Sequence, residues 1–241
     1  MRVLYSDDYL AAVDKPPGLL VHRTGLDAGE TRFALQMLRD QLGRPVWPVH
    51  RLDKGTSGVL LFALDAGTAR ALGEAFEAPD AVHKTYRAVV RGWPPPEGLI
   101  DHALRRLEDD ARAGRLEVQD ARTRYRTLQH YELPLPYGGF VTTRCALLEL
   151  QPLTGRRHQL RRHLKHIAHP IIGDATHGKG PLNRALAPLT GGPRLWLHAT
   201  ALALRHPVHG KSLCIEAGTG PEWGLWPGAF DLHQGGRSGS A

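Results

Sequence analysis

Four polar side chains crowd one short stretch of this chain: His50, Arg51, Asp53 and Lys54, inside Pro48-Val-His-Arg-Leu-Asp-Lys-Gly-Thr-Ser-Gly-Val-Leu-Leu61. Gly55 and Gly58 bracket the end of the stretch, and an apolar run follows. A carboxylate in a loop that runs into a core is held firmly and can still face a cleft. Arg51 and Lys54, on either side of Asp53, favour its ionised form. Such a carboxylate can serve as a base, a nucleophile or a metal ligand. An Asp before Lys-Gly is also what a tight turn uses, so both readings stand at this point.

A second cluster, Leu153-Thr-Gly-Arg-Arg-His-Gln-Leu-Arg-Arg-His-Leu-Lys-His-Ile-Ala-His169, has five basic residues, four histidines and no acid. At a helix start, Arg156, Arg157 and His158 oppose the helix dipole, which calls for an anionic ligand or a carboxylate from elsewhere. Arg161 adjoins Leu160 at the edge of the apolar face and is expected to be partly buried. A buried arginine needs a paired acid, and none is near in sequence. Arg162 and Lys165 complete the basic surface. His163, His166 and His169, with His158 and His177, raise the question of a metal. No Glu accompanies them in the helix and Pro170 places His169 at or past its end, so phosphate contact or plain exposure is favoured. Lys84-Thr85-Tyr86 lies on a predicted strand. Tyr86 reads either as a core tyrosine with its hydroxyl at the rim or as a ring that stacks on a base while Lys84 holds a phosphate.

The elements that must position these groups are legible from hydrophobic spacing. Val3–Tyr5 and Leu10–Val13 are short strands, followed by the Lys15-Pro16-Pro17-Gly18 turn and an extended Leu19–His22. Thr31–Leu42 is an amphipathic helix on Leu35, Leu38 and Leu42, stopped by Gly43. Val59–Leu64 is a buried strand, and Asp65 caps a helix whose inward stripe is Ala69, Leu72 and Phe76. Lys84–Arg91 is a strand. Residues 101–130, dense in both charges, are read as exposed strands or excursions. Val141–Leu150 is a long strand, and Thr154 is placed to cap a helix to about Ala168 with Leu160, Leu164 and Ile167 inward. Leu195–Leu204 reads as a central strand paired with Ser212–Glu216 through the Pro207–Gly210 turn. The class is α/β (α+β), one mixed domain over residues 1–233 with a largely antiparallel sheet. The three prolines of residues 92–98 mark a subdomain boundary, and residues 234–241 form a flexible tail.

Composition narrows the function classes. The chain has 241 residues, 41% hydrophobic and 23% charged, which suits a packed globular protein rather than a disordered one. The longest apolar run, Val59–Leu64, is too short to span a membrane. Asp7 and Asp8 near the start argue against a secretory signal. Cys145 and Cys214 are the only cysteines, which excludes a four-cysteine zinc site and points to a reducing, cytoplasmic setting. The net charge of +7 is unevenly placed. Residues 1–150 are neutral on balance, whereas residues 151–211 hold ten basic residues, one acid (Asp174) and eight of the 14 histidines. A basic surface so concentrated attracts polyanions, nucleic acid first among them.

In order along the chain, these segments resemble the RNA pseudouridine synthases of the RluA type. Asp14-Lys15-Pro16-Pro17-Gly18 with His22 is similar to the N-terminal signature, and His50-Arg51-Leu52-Asp53 with Thr56-Ser57-Gly58 to the catalytic loop. Lys84-Thr85-Tyr86 resembles the tyrosine motif. Leu153–Arg161, His169-Pro170-Ile171-Ile172-Gly173-Asp174 and Leu197-His198-Ala199 complete the set. The resemblance implies the pseudouridine synthase fold, with flanking helices and a central cleft, and no metal or organic cofactor. It implies that Asp53 attacks a target uridine at the sugar C1′ or at the uracil ring. It further implies that Arg161 pairs with Asp53, that Tyr86 packs on the target base and helps in proton transfer, and that Arg51 acts near the flipped nucleotide. His50, Lys54, Lys84, Arg156, Arg157, His158, Arg162 and Lys165 are the expected RNA contacts. Within the family the chain is most similar to tRNA pseudouridine-65 synthases. The signs are the lack of an S4-like N-terminal domain, the Val21–Asp27 stretch and Arg161–His166; His177–Arg184 also resembles that group, with Gly180-Pro181-Leu182 departing from it. The expected partner is RNA, tRNA before ribosomal RNA, with no membrane and no obligate protein partner, the chain acting as a monomer. The alternatives are a non-catalytic RNA-binding module and a histidine-rich metal hydrolase.

Overall fold

The computed structural model describes residues 1–22, 29–107, 117–226 and 229–230. The Arg23–Asp27 part of the motif above, residues 108–116 of the charge-dense segment and the 234–241 tail lie outside the described residues. Two compact units alternate along the chain: Met1–Tyr86 with Leu197–Thr219, and Arg87–Trp196 with Gly220–Ala241.

The first unit contains β1 (Arg2–Ser6), β2 (Leu10–Lys15), helix α1 (Ala34–Leu42), β3 (Trp47–Pro48), β4 (Ser57–Ala63), helix α2 (Ala66–Glu77) and the start of β5 (Val82–Arg91). Its sheet runs β1-β2-β4 and then takes in a later strand, Leu197–Arg205, which carries Ser212–Glu216 on it. The pairings are antiparallel except that of β4 with Leu197–Arg205, which is parallel with His198 opposite Ser57. Every residue of β4 is buried. Side chains alternate across a strand, so Leu60 and Phe62 pack with Ala34 and Leu38 of α1, while Val59, Leu61 and Ala63 pack with Leu72 of α2. A strand covered on both faces has no polar side, which is why its sequence reads as one apolar run.

The helices follow from local chemistry. Asp65 caps α2, its Oδ1 accepting from the Thr68 amide at 2.8 Å. Gly43 ends α1 in the left-handed region at φ 65°. That helix begins at Ala34 and not at Thr31, because Phe33 is extended and bridges Leu20.

The second unit contains the rest of β5, then β6 (Glu97–Asp101), β7 (Leu104–Arg105), β8 (Val118–Gln119), β9 (Arg122–Leu133), β10 (Thr143–Pro152), α3 (Gln159–His166) and α4 (Gly180–Leu186). The chain then returns to the first unit as β11 (Leu197–Arg205) and β12 (Ser212–Glu216), and β13 (Ala229–Phe230) closes the order. β9 and β10 form a long antiparallel pair with an irregularity between Leu147 and Leu148, and β6 and β13 both pair with β9. β7 and β8 make a separate two-stranded hairpin. Trp196, Trp223 and Trp226 are buried together, their rings edge to face at 5.1 Å.

α3 is shorter than expected. Thr154 does not cap it; its hydroxyl donates to Gln159 Oε1, and His158 stands in the left-handed region at φ 54° just before the first turn. Residues 153–158 are therefore a loop. At the other end Ala168 has φ 65°, so His169 lies past the helix. No helix among the described residues is long and apolar enough to cross a membrane.

Gly58, the second residue of β4, has φ 105°, and a Cβ there would collide with the backbone of Ala199 on β11. Gly58→Ala is expected to destabilise the protein by more than the roughly 1–3 kcal/mol of backbone strain alone. Urea unfolding measures this; an unchanged midpoint would contradict the close parallel pairing of β4 with β11.

Candidate active site

In the first unit the loop that carries Asp53 is tied down at several points. Leu52 is buried in the α1-side core, and the Thr56 amide donates to the Asp53 carbonyl at 3.0 Å, closing a turn. Lys15 is fully buried, and its Nζ donates to the carbonyls of Leu19 at 2.7 Å, Pro16 at 3.0 Å and Lys54 at 3.2 Å. The Gly18 amide also reaches the Lys54 carbonyl, at 2.8 Å. One buried ammonium thus fastens the Lys-Pro-Pro-Gly turn to the Asp53 loop. Burial pulls the Lys15 pKa down to about 7, with the Asp53 carboxylate acting the other way. Between buried Leu52 and exposed Lys54, Asp53 keeps partial access to solvent.

Tyr86 packs against the same core, and its phenol is pushed far up, first by burial and then by the Asp53 charge. It stays protonated over the whole physiological range, so it offers a ring face and an O–H rather than a phenolate. Lys84 lies over the Phe76 ring at 5.9 Å, and burial lowers its pKa. Lys54 Nζ pairs with Glu30 at 2.7 Å. Arg51 is exposed.

His50 carries a structural load. Its Nε2 accepts the Leu61 amide at 3.0 Å, its ring stacks on Phe76 at 5.0 Å, and burial, then the Lys84 charge, pulls its pKa down to about 3. A neutral imidazole that accepts at Nε2 braces the loop and carries its proton on Nδ1, the nitrogen able to donate to a phosphate. His198 is similarly placed, between Ser57 Oγ at 2.9 Å and the Ala217 carbonyl at 3.3 Å.

The second unit organises the basic loop around Gln159, whose side chain is buried and fully used. Its Oε1 accepts from Thr154 Oγ1 at 2.7 Å and the Arg156 amide at 3.0 Å; its Nε2 donates to the Arg122 carbonyl at 2.9 Å and Thr123 Oγ1 at 3.0 Å. Arg161 is buried as its spacing predicts. Its Nε and Nη2 donate to the two oxygens of Asp174, at 2.7 and 2.9 Å, an acid that helical spacing did not reveal. Burial alone would raise the Asp174 pKa. The Arg161 bonds and the amides of His177 and Thr176 outweigh it and hold the carboxyl below the usual range. The His177 pKa is lowered to about 4, chiefly by burial, and its Nε2 meets His158 Nδ1 at 3.1 Å.

Arg156 and Lys165 are exposed, while Arg157, His158 and Arg162 are half-buried. The helical histidines have non-metal occupations. His163 is buried between Thr123 Oγ1 at 2.9 Å and the His102 carbonyl at 3.0 Å, His166 stacks on His102, and His169 meets the Arg91 carbonyl at 2.8 Å. Among the described residues, the cluster with metal-like spacing is Asp7, His206 and His209. There His206 Nδ1 accepts the Val208 and His209 amides, so Nε2 carries the proton and donates to Asp7 at 2.9 Å. Sequence reasoning gave no positioning role to Lys15, which holds the Asp53 loop, or to Gln159 and Asp174, which hold the basic loop and Arg161. For Asp174 a signal existed, since it is the one acid of residues 151–211.

The chain matches the RNA pseudouridylate synthase family over residues 9–166. It is 46% identical over 227 residues to the tRNA pseudouridine synthase C of Vibrio cholerae serotype O1, covering 92% of this chain and 93% of that protein. To the tRNA pseudouridine synthase C of Haemophilus ducreyi it is 45% identical over 236 residues, 97% of each chain. Among solved structures, human RNA Pseudouridylate Synthase Domain Containing 1 superposes with a TM-score of 0.73 at 26% identity, over 96% of this chain and 89% of that one. Human RNA Pseudouridylate Synthase Domain Containing 4 gives 0.69 at 28% identity, over 93% and 90%.

Asp174→Asn removes the charge that neutralises buried Arg161, and a loss of about 3–5 kcal/mol in unfolding free energy is expected. Because the native Asp174 pKa is depressed, its contribution is full above the ordinary aspartate value of about 4 and is lost as pH falls through the lowered native value. Urea unfolding of both proteins between neutral pH and pH 3 checks this, and a difference that grows on acidification would contradict it.

Proposed function

We propose that this chain, which belongs to the RNA pseudouridylate synthase family and is therefore an isomerase acting on RNA, converts one uridine of tRNA, at position 65, to pseudouridine. The observation that carries the reading is the state of Asp53: a carboxylate on a loop fastened by buried Lys15, reachable from solvent, with the protonated Tyr86 phenol in its field. The tRNA target is supported by the names of the relatives that match nearly the whole chain.

In this reading the target base is extruded from its stem, which costs a few kcal/mol. Asp53 attacks the nucleotide at the sugar C1′ or at the uracil ring. The glycosidic bond breaks, the uracil turns, and a carbon–carbon bond to C1′ replaces the carbon–nitrogen bond. Tyr86 supports the base and assists proton transfer, Arg161 is the cation that acts with Asp53, and Arg51 occupies the space the base leaves. Lys54, Lys84, Arg156, Arg157, His158, Arg162 and Lys165 hold the RNA, with His50 keeping the loop in shape. Roughly five phosphate contacts would give a log–log salt slope of about −3.5 to −4.5. The enzyme acts as a monomer in the cytoplasm.

Unmodified tRNA transcript incubated with the purified protein should gain one pseudouridine, read by chemical probing of each uridine. Asp53→Asn should abolish that product and leave tRNA binding within a few fold of wild type. Turnover retained by Asp53→Asn would sink the assignment of Asp53. A wild type that binds tRNA and leaves every uridine unchanged would sink the tRNA reading.

A further inference from the structure

The β7–β8 hairpin places two arginines beside the basic loop that nothing in the sequence joined to it. Leu104 pairs with Gln119 and Arg105 with Val118, and the Arg106 amide continues the ladder to the Glu117 carbonyl at 2.8 Å. The hairpin is bonded to the loop at its base: Arg156 Nε donates to the Asp120 carbonyl at 3.1 Å, the Leu153 amide to the Arg122 carbonyl at 2.9 Å, and the Arg122 amide to Thr154 Oγ1 at 3.0 Å. Between hairpin, loop and α3 lies a cavity of about 300 Å³ lined by Arg105, Arg106, Arg156, Arg157, Arg162 and Gln119, and among the described residues no carboxylate stands in its wall. An ion pair joins Arg106 to Glu117 at 3.8 Å with both side chains exposed, a pair of little strength.

Leaving Arg157 aside, Arg105, Arg106, Arg156 and Arg162 still bring four like charges to one small space, and half-buried Arg162 has its pKa lowered by burial. A wall of this kind is stable only at a cost unless an anion enters it. Arginine forks match the oxygens of a phosphate in pairs, and Gln119 adds an amide at the edge. We infer that this cavity is a phosphodiester site, holding one backbone phosphate of the RNA substrate. The inference rests on the RNA-modifying reading above and names a contact that reading does not include. Arg161 and Arg162 are consecutive on α3, yet Arg161 is bound to Asp174 while Arg162 lines the cavity. A phosphate in the cavity therefore fixes the RNA against the same helix that holds Arg161. Arg105 and Arg106 contribute to grip and register and not to the chemical step.

The test is tRNA binding and turnover as a function of NaCl concentration. Arg105→Gln/Arg106→Gln should raise KM, leave kcat at saturating tRNA unchanged, and flatten the log–log salt slope by about 0.7 to 0.9, the contribution expected of one phosphate in single or double strands. Arg105→Lys/Arg106→Lys, which keeps both charges and preserves the hairpin if the Gln pair fails to fold, should retain the steep slope. Arg39→Gln/Arg70→Gln, exposed arginines of the first unit, should leave the slope as in wild type. An unchanged slope and KM in the Gln pair, or an equal flattening in the Arg39/Arg70 control, would overturn the site. Binding curves saturated equally by free inorganic phosphate and by RNA would overturn the RNA backbone as its occupant. Failure of the wild type to make pseudouridine would count against the proposed function instead, because the binding measurement reads the cavity without any turnover.

Discussion

The buried ion pair between Arg161 and Asp174 is the constraint around which the basic segment is built. A guanidinium on the apolar side of α3 can be buried only beside fixed negative charge, and Asp174 supplies it with both oxygens engaged. Such pairs contribute little net stability over apolar replacements, so what the pair provides here is orientation. Asp174 is itself aimed by the amides of Thr176 and His177, and Gln159 holds the loop at the helix start through four hydrogen bonds. With those positions fixed, the remaining arginines of the loop have no freedom to fold inward. Arg156 and Arg157 line the cavity beside the β7–β8 hairpin.

The first unit solves a related problem with different groups. Its buried cation, Lys15, has three backbone carbonyls as neighbours, and these belong to two loops that both matter to the site. The lysine stitches the Lys-Pro-Pro-Gly turn to the Asp53 loop while placing a charge near the carboxylate. A reactive carboxylate must be both accessible and immobile, and accessibility removes most of the packing that could immobilise it. Anchoring through Leu52 below and Lys15 beside it meets both demands.

What could be read from the residues depended on how local the cause was. The unbroken apolar run of β4, the Asp65 cap and the Gly43 stop are consequences of neighbours in sequence, and the structure has all three. The start of α3 was not legible, because Thr154 serves Gln159 and not the helix, a choice set by β9 through Arg122 and Thr123. Asp174, which pairs with Arg161, lay thirteen residues on, past a helix end and a turn, beyond the reach of helical spacing. The bracing role of His50, through the Leu61 amide and the Phe76 ring, was not legible either, because both partners lie more than ten residues away. Arg105 and Arg106 were hidden by their setting: residues 1–150 carry no net charge, so a basic site there appears only when strand pairing folds the hairpin back onto the loop.

The central claim is that Asp53, in this frame, isomerises a uridine of tRNA. Its most direct test is site-by-site mapping of pseudouridine in tRNA and ribosomal RNA from cells with and without this protein. Loss of pseudouridine at tRNA position 65 alone, with ribosomal RNA unchanged, is the predicted result. An unchanged tRNA with loss confined to ribosomal RNA would contradict it.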